Sequence, residues 1–203
     1  MALNEKVPNQ LIHLALKSCE EIIGKDGLTA LLRYAKLDTF IDSYPPPDLE
    51  MTYPIGDFIK FVTSTIDIFG ERGARPLLFR GGKKGFEISL EFFPEMHRID
   101  KTKSIEGKFE EFVSLYRNAV EASKYIYGDV FTFYESPQGA TLEIGPCFWC
   151  LGLKTEKPIC HAQVGFQHAF LQWVIGGEVR VEETRCIAVG DPVCTFVMHR
   201  PEK

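Results

Sequence analysis

The first half of the chain carries hydrophobic residues at the three- and four-residue spacing of amphipathic helices. These stripes predict helices over residues 9–24, about 28–37, 55–70 and 105–120. Asn9 is a suitable N-cap for the first helix, and the glycines at its end and at the end of the third suit helix termini. The N-terminal part is therefore expected to be mainly helical.

Two stretches interrupt this pattern. Tyr44–Asp48 contains three consecutive prolines, which cannot continue a helix because they lack a backbone donor. Arg80–Gly85 contains three glycines and is expected to break whichever element includes it. The hydrophobic residues of 86–93 alternate, so this segment is ambiguous between helix and strand.

Beyond residue 125 the hydrophobic period changes. Residues 130–134 are rich in aromatic and β-branched residues, and residues 140–144 alternate between apolar and polar. Together they predict a hairpin that turns over Pro137–Gly139. A helix is expected from about Pro158 to Ile175, followed by a second hairpin, with strands over 178–188 and 193–198. Helices first and antiparallel strands later predict an α+β fold, with N-terminal helices packed on an antiparallel sheet, and the length fits one domain over residues 1–203.

Composition and charge narrow the class of protein. No run reaches the roughly 18 apolar residues of a membrane span, and the N-terminus lacks the plan of a signal peptide. We therefore expect a cytoplasmic protein without a membrane span. The formal charge of −5 is spread along the chain, and basic residues cluster only near residues 72–84, so nucleic acid is not expected as a direct partner.

The cysteines are distributed unevenly, because five of the six follow residue 146. In a reducing compartment such residues are metal ligands, redox groups or buried apolar residues rather than disulfides. A final turn centred on Gly190 would place Cys186 opposite Cys194, with Cβ atoms about 4.5–5.5 Å apart. Two thiolates so placed can share one metal ion.

Three further residues compete for places around such an ion. Cys160 follows Pro158 at the expected start of a helix, where backbone donors and the helix dipole favour a thiolate. Glu183 lies three residues before Cys186, so its carboxylate can join only if the strand is bulged or twisted. His161 is the rival fourth ligand.

Cys147 and Cys150 form a C-x-x-C pair outside the strand-to-helix context of a thioredoxin-like fold. They are candidates for a redox pair or a second metal site, and the alternative is a packed strand end or pocket lining. No phosphate-binding loop and no dinucleotide fingerprint is present. The sequence thus gives no basis for a nucleotide cofactor.

Several aromatic residues are candidates to line an apolar ligand cavity, and a histidine could orient a polar group of the ligand. The candidate pocket residues are His97, Phe131, Phe133, Phe148, Trp149 and Trp173.

The C-terminal motifs carry a resemblance to a known family. The run Cys160–Phe166, followed by Gly176–Val179, Glu182–Cys186 and Gly190–Phe196, resembles the 4-vinyl-reductase small-molecule-binding domain. That family includes sensor domains of phenol- and toluene-responsive regulators and bacteriochlorophyll 4-vinyl-reductase-type proteins, and its fold is related to TRAPP subunits and to an NO-signalling ligand-binding fold.

The resemblance implies a ligand set and a function. Regulators of the family hold a structural zinc ion through three cysteines and a glutamate, which match Cys160, Glu183, Cys186 and Cys194 here. We therefore expect a homodimeric, zinc-braced sensor or carrier of an aromatic, hydrocarbon or tetrapyrrole-like molecule. If it signals, it must do so through a separate protein. Two alternatives remain: a redox role in tetrapyrrole vinyl reduction through Cys147 and Cys150, and an interaction subunit with a lipid-filled cavity.

Overall fold

The computed structural model describes residues 6–92 and 99–201, which form four helices and six strands. The helices are α1 (Asn9–Tyr34), α2 (Ile55–Ser89), α3 (Ile105–Tyr127) and α4 (His161–Ile175). The strands are β1 (Lys6–Pro8), β2 (Met51–Pro54), β3 (Phe131–Ser136), β4 (Gly139–Ile144), β5 (Val181–Arg185) and β6 (Cys194–His199). The predicted α+β class, with helices packed on an antiparallel sheet, is confirmed.

The two long helices are kinked at the glycines where the sequence predicts helix ends. The backbone leaves helical geometry at Gly24, with φ 76° and ψ 168°, and at Gly70, with φ 65° and ψ 164°. This conformation is accessible essentially only to glycine, because any Cβ would clash with the backbone. The predicted separation of α1 into two helical segments is therefore confirmed. Helical geometry is also interrupted at Gly70 as predicted, but the helix resumes and runs to Ser89, which the sequence analysis did not predict.

The predicted break at Arg80–Gly85 is wrong, because α2 continues to Ser89. Glycine serves close packing here, where α2 crosses α4. A Cβ on Gly82 would lie 2.7 Å from the carbonyl carbon of Ala162, and a Cβ on Gly165 would lie 2.8 Å from that of Phe79. The glycines let the two backbones approach one another, which holds the start of α4 in place.

The main sheet has four antiparallel strands in the order β3-β4-β6-β5, and β1 and β2 form a separate two-stranded sheet. The predicted first hairpin is confirmed, since Phe131 pairs with Ile144 and Ser136 with Gly139. The last hairpin is shorter than predicted. β5 ends at Arg185, and a 3-10 turn over Ile187–Val189 leads towards β6.

The pairing of β5 with β6 changes register within the strand. Glu183 pairs with Phe196, but Arg185 pairs with Thr195, so Thr184 is the extra residue of a bulge. A hairpin centred on Gly190 would pair Arg185 with Thr195, as observed. It would pair Glu183 with Val197, one residue away from the observed partner Phe196. The sequence analysis concluded that Glu183 and Cys186 can face the same side only if the strand is bulged or twisted, and the strand has such a bulge.

Two large hydrophobic clusters form the interior. One lies among α3, α4 and the main sheet, and the other lies between α1 and the first part of α2. Phe148, in the loop between β4 and α4, is 5% exposed and belongs to the second cluster, whereas its neighbours Cys147 and Cys150 belong to the first. Within the described ranges, no helix combines the length and the apolar character that crossing a membrane requires.

Candidate metal centre

Five cysteines and one glutamate converge between α4, the β5–β6 hairpin and the loop after β4. Their donor atoms form two overlapping groups of four, within each of which all donor atoms lie within 4.8 Å of one another. The first group is Cys160, Glu183, Cys186 and Cys194, and the second is Cys147, Cys150, Cys160 and Cys194. The structure thus brings together all four residues predicted as metal ligands, and it adds the C-x-x-C pair to the same cluster.

Each donor of the first group is placed by a different local feature. Cys160 is the residue immediately before α4, and its backbone N–H donates to Oε2 of Glu183 over 2.9 Å. Cys186 follows β5, where its N–H donates to Asp191 Oδ2 over 2.8 Å. Cys194 begins β6, and its Sγ accepts the N–H of Ile187 at 3.3 Å. Hydrogen bonds therefore fix the backbone around the donors.

The sulfur atoms are close but not bonded to one another. Cys147 Sγ lies 3.7 Å from Cys160 Sγ, Cys150 Sγ lies 3.4 Å from Cys194 Sγ, and Cys160 Sγ lies 3.8 Å from Cys194 Sγ. All five cysteines are free thiols and are at most 1% exposed. For a Zn–S bond of about 2.3 Å, the edge of a regular tetrahedron of sulfurs is about 3.8 Å. These separations all lie within the second group, and they match the edges of a tetrahedral thiolate site.

The electrostatics of the cluster limit how many of its donors can be charged at once when no ion is bound. Burial, followed by the charge of the nearby Cys186, raises the pKa of the Glu183 carboxyl to about 9. The neighbouring thiols, Cys147 first, lower the pKa of Cys150 and raise that of Cys160, so these groups cannot all ionise together. The helix start predicted at Cys160 is confirmed, but the neighbouring thiols, Cys147 first, raise its pKa, whereas a lower pKa was expected. A bound divalent ion would favour the charged forms.

The chemistry of the donor set fits zinc. Three thiolates and a carboxylate are ligands that zinc accepts in four-coordinate sites. Oε1 of Glu183 is buried and has no hydrogen-bond partner among the described residues, so it is available as a ligand atom. His161, the rival ligand, belongs to neither group of donors found in the described ranges. Burial, followed by the charge of Arg75, lowers the pKa of His161 to about 4.

The predicted pocket residues lie in two places. The rings of Phe131 and Phe148 both pack against Tyr127, and Trp149 packs against Phe58. The ring of Phe133 stacks on Tyr116, and Trp173 lies against Phe86 on α2. Phe131 and Phe133 line a half-open surface pocket of about 210 Å³ that also has charged residues in its wall. His97 lies outside the described residues.

Comparison with solved structures defines the fold. The chain is similar to a variant of the Tt H-NOX protein, with a TM-score of 0.65 and 11% identity over 96% of this chain and 95% of that one. It is also similar to an oxygen-binding H-NOX domain related to soluble guanylate cyclases, with a TM-score of 0.59 and 12% identity over 97% and 98% of the two chains. The fold is therefore that of H-NOX domains.

A family model and related protein sequences extend this comparison. Residues 140–200 match the 4-vinyl reductase domain, so the resemblance is confirmed over the segment that contains all the donors of the cluster. "Uncharacterized protein MJ0855" of Methanocaldococcus jannaschii is 24% identical over 79% of this chain and 72% of its own length. "Uncharacterized protein MJ1642" of the same organism is 27% identical over 60% of this chain and 72% of its own length.

Proposed function

We propose that the chain is a binding module that senses or carries a small hydrophobic molecule and is braced by a zinc ion at Cys160, Glu183, Cys186 and Cys194. The observation that carries the proposal is the convergence of these four buried donors within a segment that matches the 4-vinyl reductase domain. The zinc would tie the start of α4 to the last hairpin, and four protein ligands leave no open position for a substrate. A bracing role fits that arrangement better than catalysis at the metal.

The zinc site is tested by metal analysis of protein purified without chelator and with a thiol-protecting reductant. We expect zinc to be present, and Cys186→Ser to lower both the zinc content and the free energy of unfolding, because binding to the folded state alone stabilises it. The matched control is Cys19→Ser, since Cys19 is also buried but lies in the other hydrophobic cluster. Wild-type protein without metal would contradict the proposal.

The interior offers both apolar surface and polar anchors for a ligand. Between α3, α4 and β3, the rings of Tyr116 and Phe170 stack with centroids 5.5 Å apart, and Phe133 stacks on the same tyrosine. On α4, the helix that also carries Phe170, Oε1 of Gln167 is buried without a hydrogen-bond partner among the described residues. Apolar walls with a few convergent polar groups are typical of small-molecule sites.

Similar proteins suggest the ligand class. Of the similar solved structures, two concern heme or porphyrin distortion, one of them in the H-NOX family, and an H-NOX domain is an oxygen complex. On that basis, we propose that the ligand of this chain is a tetrapyrrole-like or aromatic molecule. Because α2 packs against both α1 and α4, we include residues 1–203 in one ligand-binding domain.

Native mass spectrometry of freshly purified protein tests ligand binding. A retained aromatic compound, hydrocarbon or tetrapyrrole, released on denaturation, would support the proposal. If nothing is retained, binding of phenol, toluene and protoporphyrin is measured through the fluorescence of Trp149 and Trp173. We expect at least one probe to bind, and Gln167→Leu to weaken it while Tyr125→Phe, at a residue 96% exposed, does not. Failure of every probe to bind would contradict the proposal.

A further inference from the structure

The two groups of donors share Cys160 and Cys194 and differ in their other two members. Cys147 and Cys150 complete one group, and Glu183 and Cys186 complete the other. One four-coordinate ion uses four of these six donors and leaves two without a role. The proposed zinc site does not use Cys147 and Cys150, the two residues of the C-x-x-C pair.

We propose that this cluster binds two divalent metal ions, bridged by the thiolates of Cys160 and Cys194. Cys147 and Cys150 are the terminal ligands of one ion, and Glu183 and Cys186 are those of the other. This inference rests on the proposed zinc site and adds a second, all-thiolate site to it. A thiolate sulfur has more than one lone pair, so each shared cysteine can bind both ions at once.

The spacing of the C-x-x-C sulfurs supports the second site. Cys147 Sγ lies 3.7 Å from one shared sulfur, and Cys150 Sγ lies 3.4 Å from the other, which is near the tetrahedral edge of about 3.8 Å. Two residues between cysteines is also a spacing typical of structural zinc sites. Without metal the same contacts are S–H···S hydrogen bonds, and once the thiols lose their protons the four sulfurs are already spaced to surround one ion.

The residues between the two cysteines hold the loop in this orientation. Phe148 is buried in the hydrophobic cluster between α1 and the first part of α2, and its ring stacks on that of Tyr127 with centroids 5.9 Å apart. Trp149 packs against Phe58 with ring centroids 4.9 Å apart. Because both aromatic side chains point into other parts of the core, the loop is fixed while Cys147 and Cys150 face the cluster. The second ion would therefore connect the metal centre to the N-terminal helices.

The charges of the cluster are consistent with two ions. One divalent ion held by three thiolates and a carboxylate carries a formal charge of −2. Two divalent ions held by five thiolates and one carboxylate carry the same formal charge. The second ion thus allows all six donors to lose their protons without adding buried negative charge, whose burial would be costly.

The first test counts ions and detects the bridge in wild-type protein. Native mass spectrometry of protein purified with reductant and without chelator is expected to show two zinc ions per chain. After replacement by ¹¹³Cd, we expect two cadmium resonances, the all-thiolate site further downfield, each split by coupling through the shared sulfurs. Two ions without this coupling would overturn the shared-thiolate arrangement.

Variants then assign the two sites. Cys147→Ser/Cys150→Ser and Glu183→Gln/Cys186→Ser are each expected to keep one ion of the two, whereas Cys19→Ser keeps both. A single wild-type ion that survives Cys147→Ser/Cys150→Ser would overturn this inference and leave the proposed zinc site intact. A single ion that this variant loses, or a wild-type protein with no ion, would overturn both. If a variant does not fold, the cadmium spectrum of the wild type decides.

Discussion

The crossing of α2 and α4 predicts opposite effects for two alanine substitutions in one helix. An added Cβ on Gly82 would lie 2.7 Å from the carbonyl carbon of Ala162, whereas one on Gly85 would meet nothing within 4 Å. Carbon atoms normally approach to about 3.5–4.0 Å, and the carbonyl oxygen of Ala162 would lie closer still to the added Cβ, so Gly82→Ala must move the helices apart by more than about 1 Å. Such overpacking costs about 1–3 kcal/mol. Both variants also gain up to about 1 kcal/mol of helix propensity.

The difference in free energy of unfolding between the two variants measures the cost of the clash, because both variants gain the same helix propensity. We expect Gly85→Ala to raise the free energy of unfolding and Gly82→Ala to lie about 1–3 kcal/mol below it. Urea unfolding followed by circular dichroism measures the difference, provided that the slope with denaturant is unchanged. Since Ala162 follows Cys160 by two residues, Gly82→Ala should also weaken zinc binding in competition with a chelator. Equal stability of the two variants would refute the close crossing.

Two further substitutions test the interior. Phe112 is fully buried against Tyr116 and Phe170, so Phe112→Ala should lower the free energy of unfolding by about 3–5 kcal/mol, whereas Tyr125→Ala at the surface should leave it nearly unchanged. Burial, and then the charge of Lys83, lower the pKa of His168 below its usual 6.5. The unfolded chain therefore binds the proton more readily, and wild-type stability should fall as the pH drops below 6.5 towards the lowered pKa. His168→Gln should lose less stability over that range in urea unfolding, and an identical pH dependence in the two proteins would contradict this account.

Helices, strands and turns could be predicted from the sequence where the local residue pattern alone determines them. The kinks at Gly24 and Gly70, the hairpin of β3 and β4, and the helix ending before Gly176 follow from periodicity and from glycine. The glycines of Arg80–Gly85 misled the prediction because their role is tertiary. Gly82 permits contact with Ala162, and nothing in the local pattern reveals a partner so distant along the chain.

Only part of the candidate metal site could be predicted, again because the rest depends on tertiary packing. The pairing of Cys186 with Cys194 follows from hairpin geometry, and Glu183 was correctly tied to a bulged strand, which β5 has at Thr184. The approach of Cys147 and Cys150 to the same cluster depends on how the loop after β4 packs on the core, which hairpin arithmetic does not describe. Their zinc-like spacing and the concentration of cysteines after residue 146 were the available signals.

The most direct test of the central claim is an anomalous difference map of zinc-loaded crystals, with data collected on both sides of the zinc absorption edge. We expect a zinc peak about 2.3 Å from Sγ of Cys160, Cys186 and Cys194 and about 2.0–2.2 Å from a carboxylate oxygen of Glu183. Zinc-loaded crystals without a peak in this cluster, or with these four side chains turned away from a common point, would contradict it.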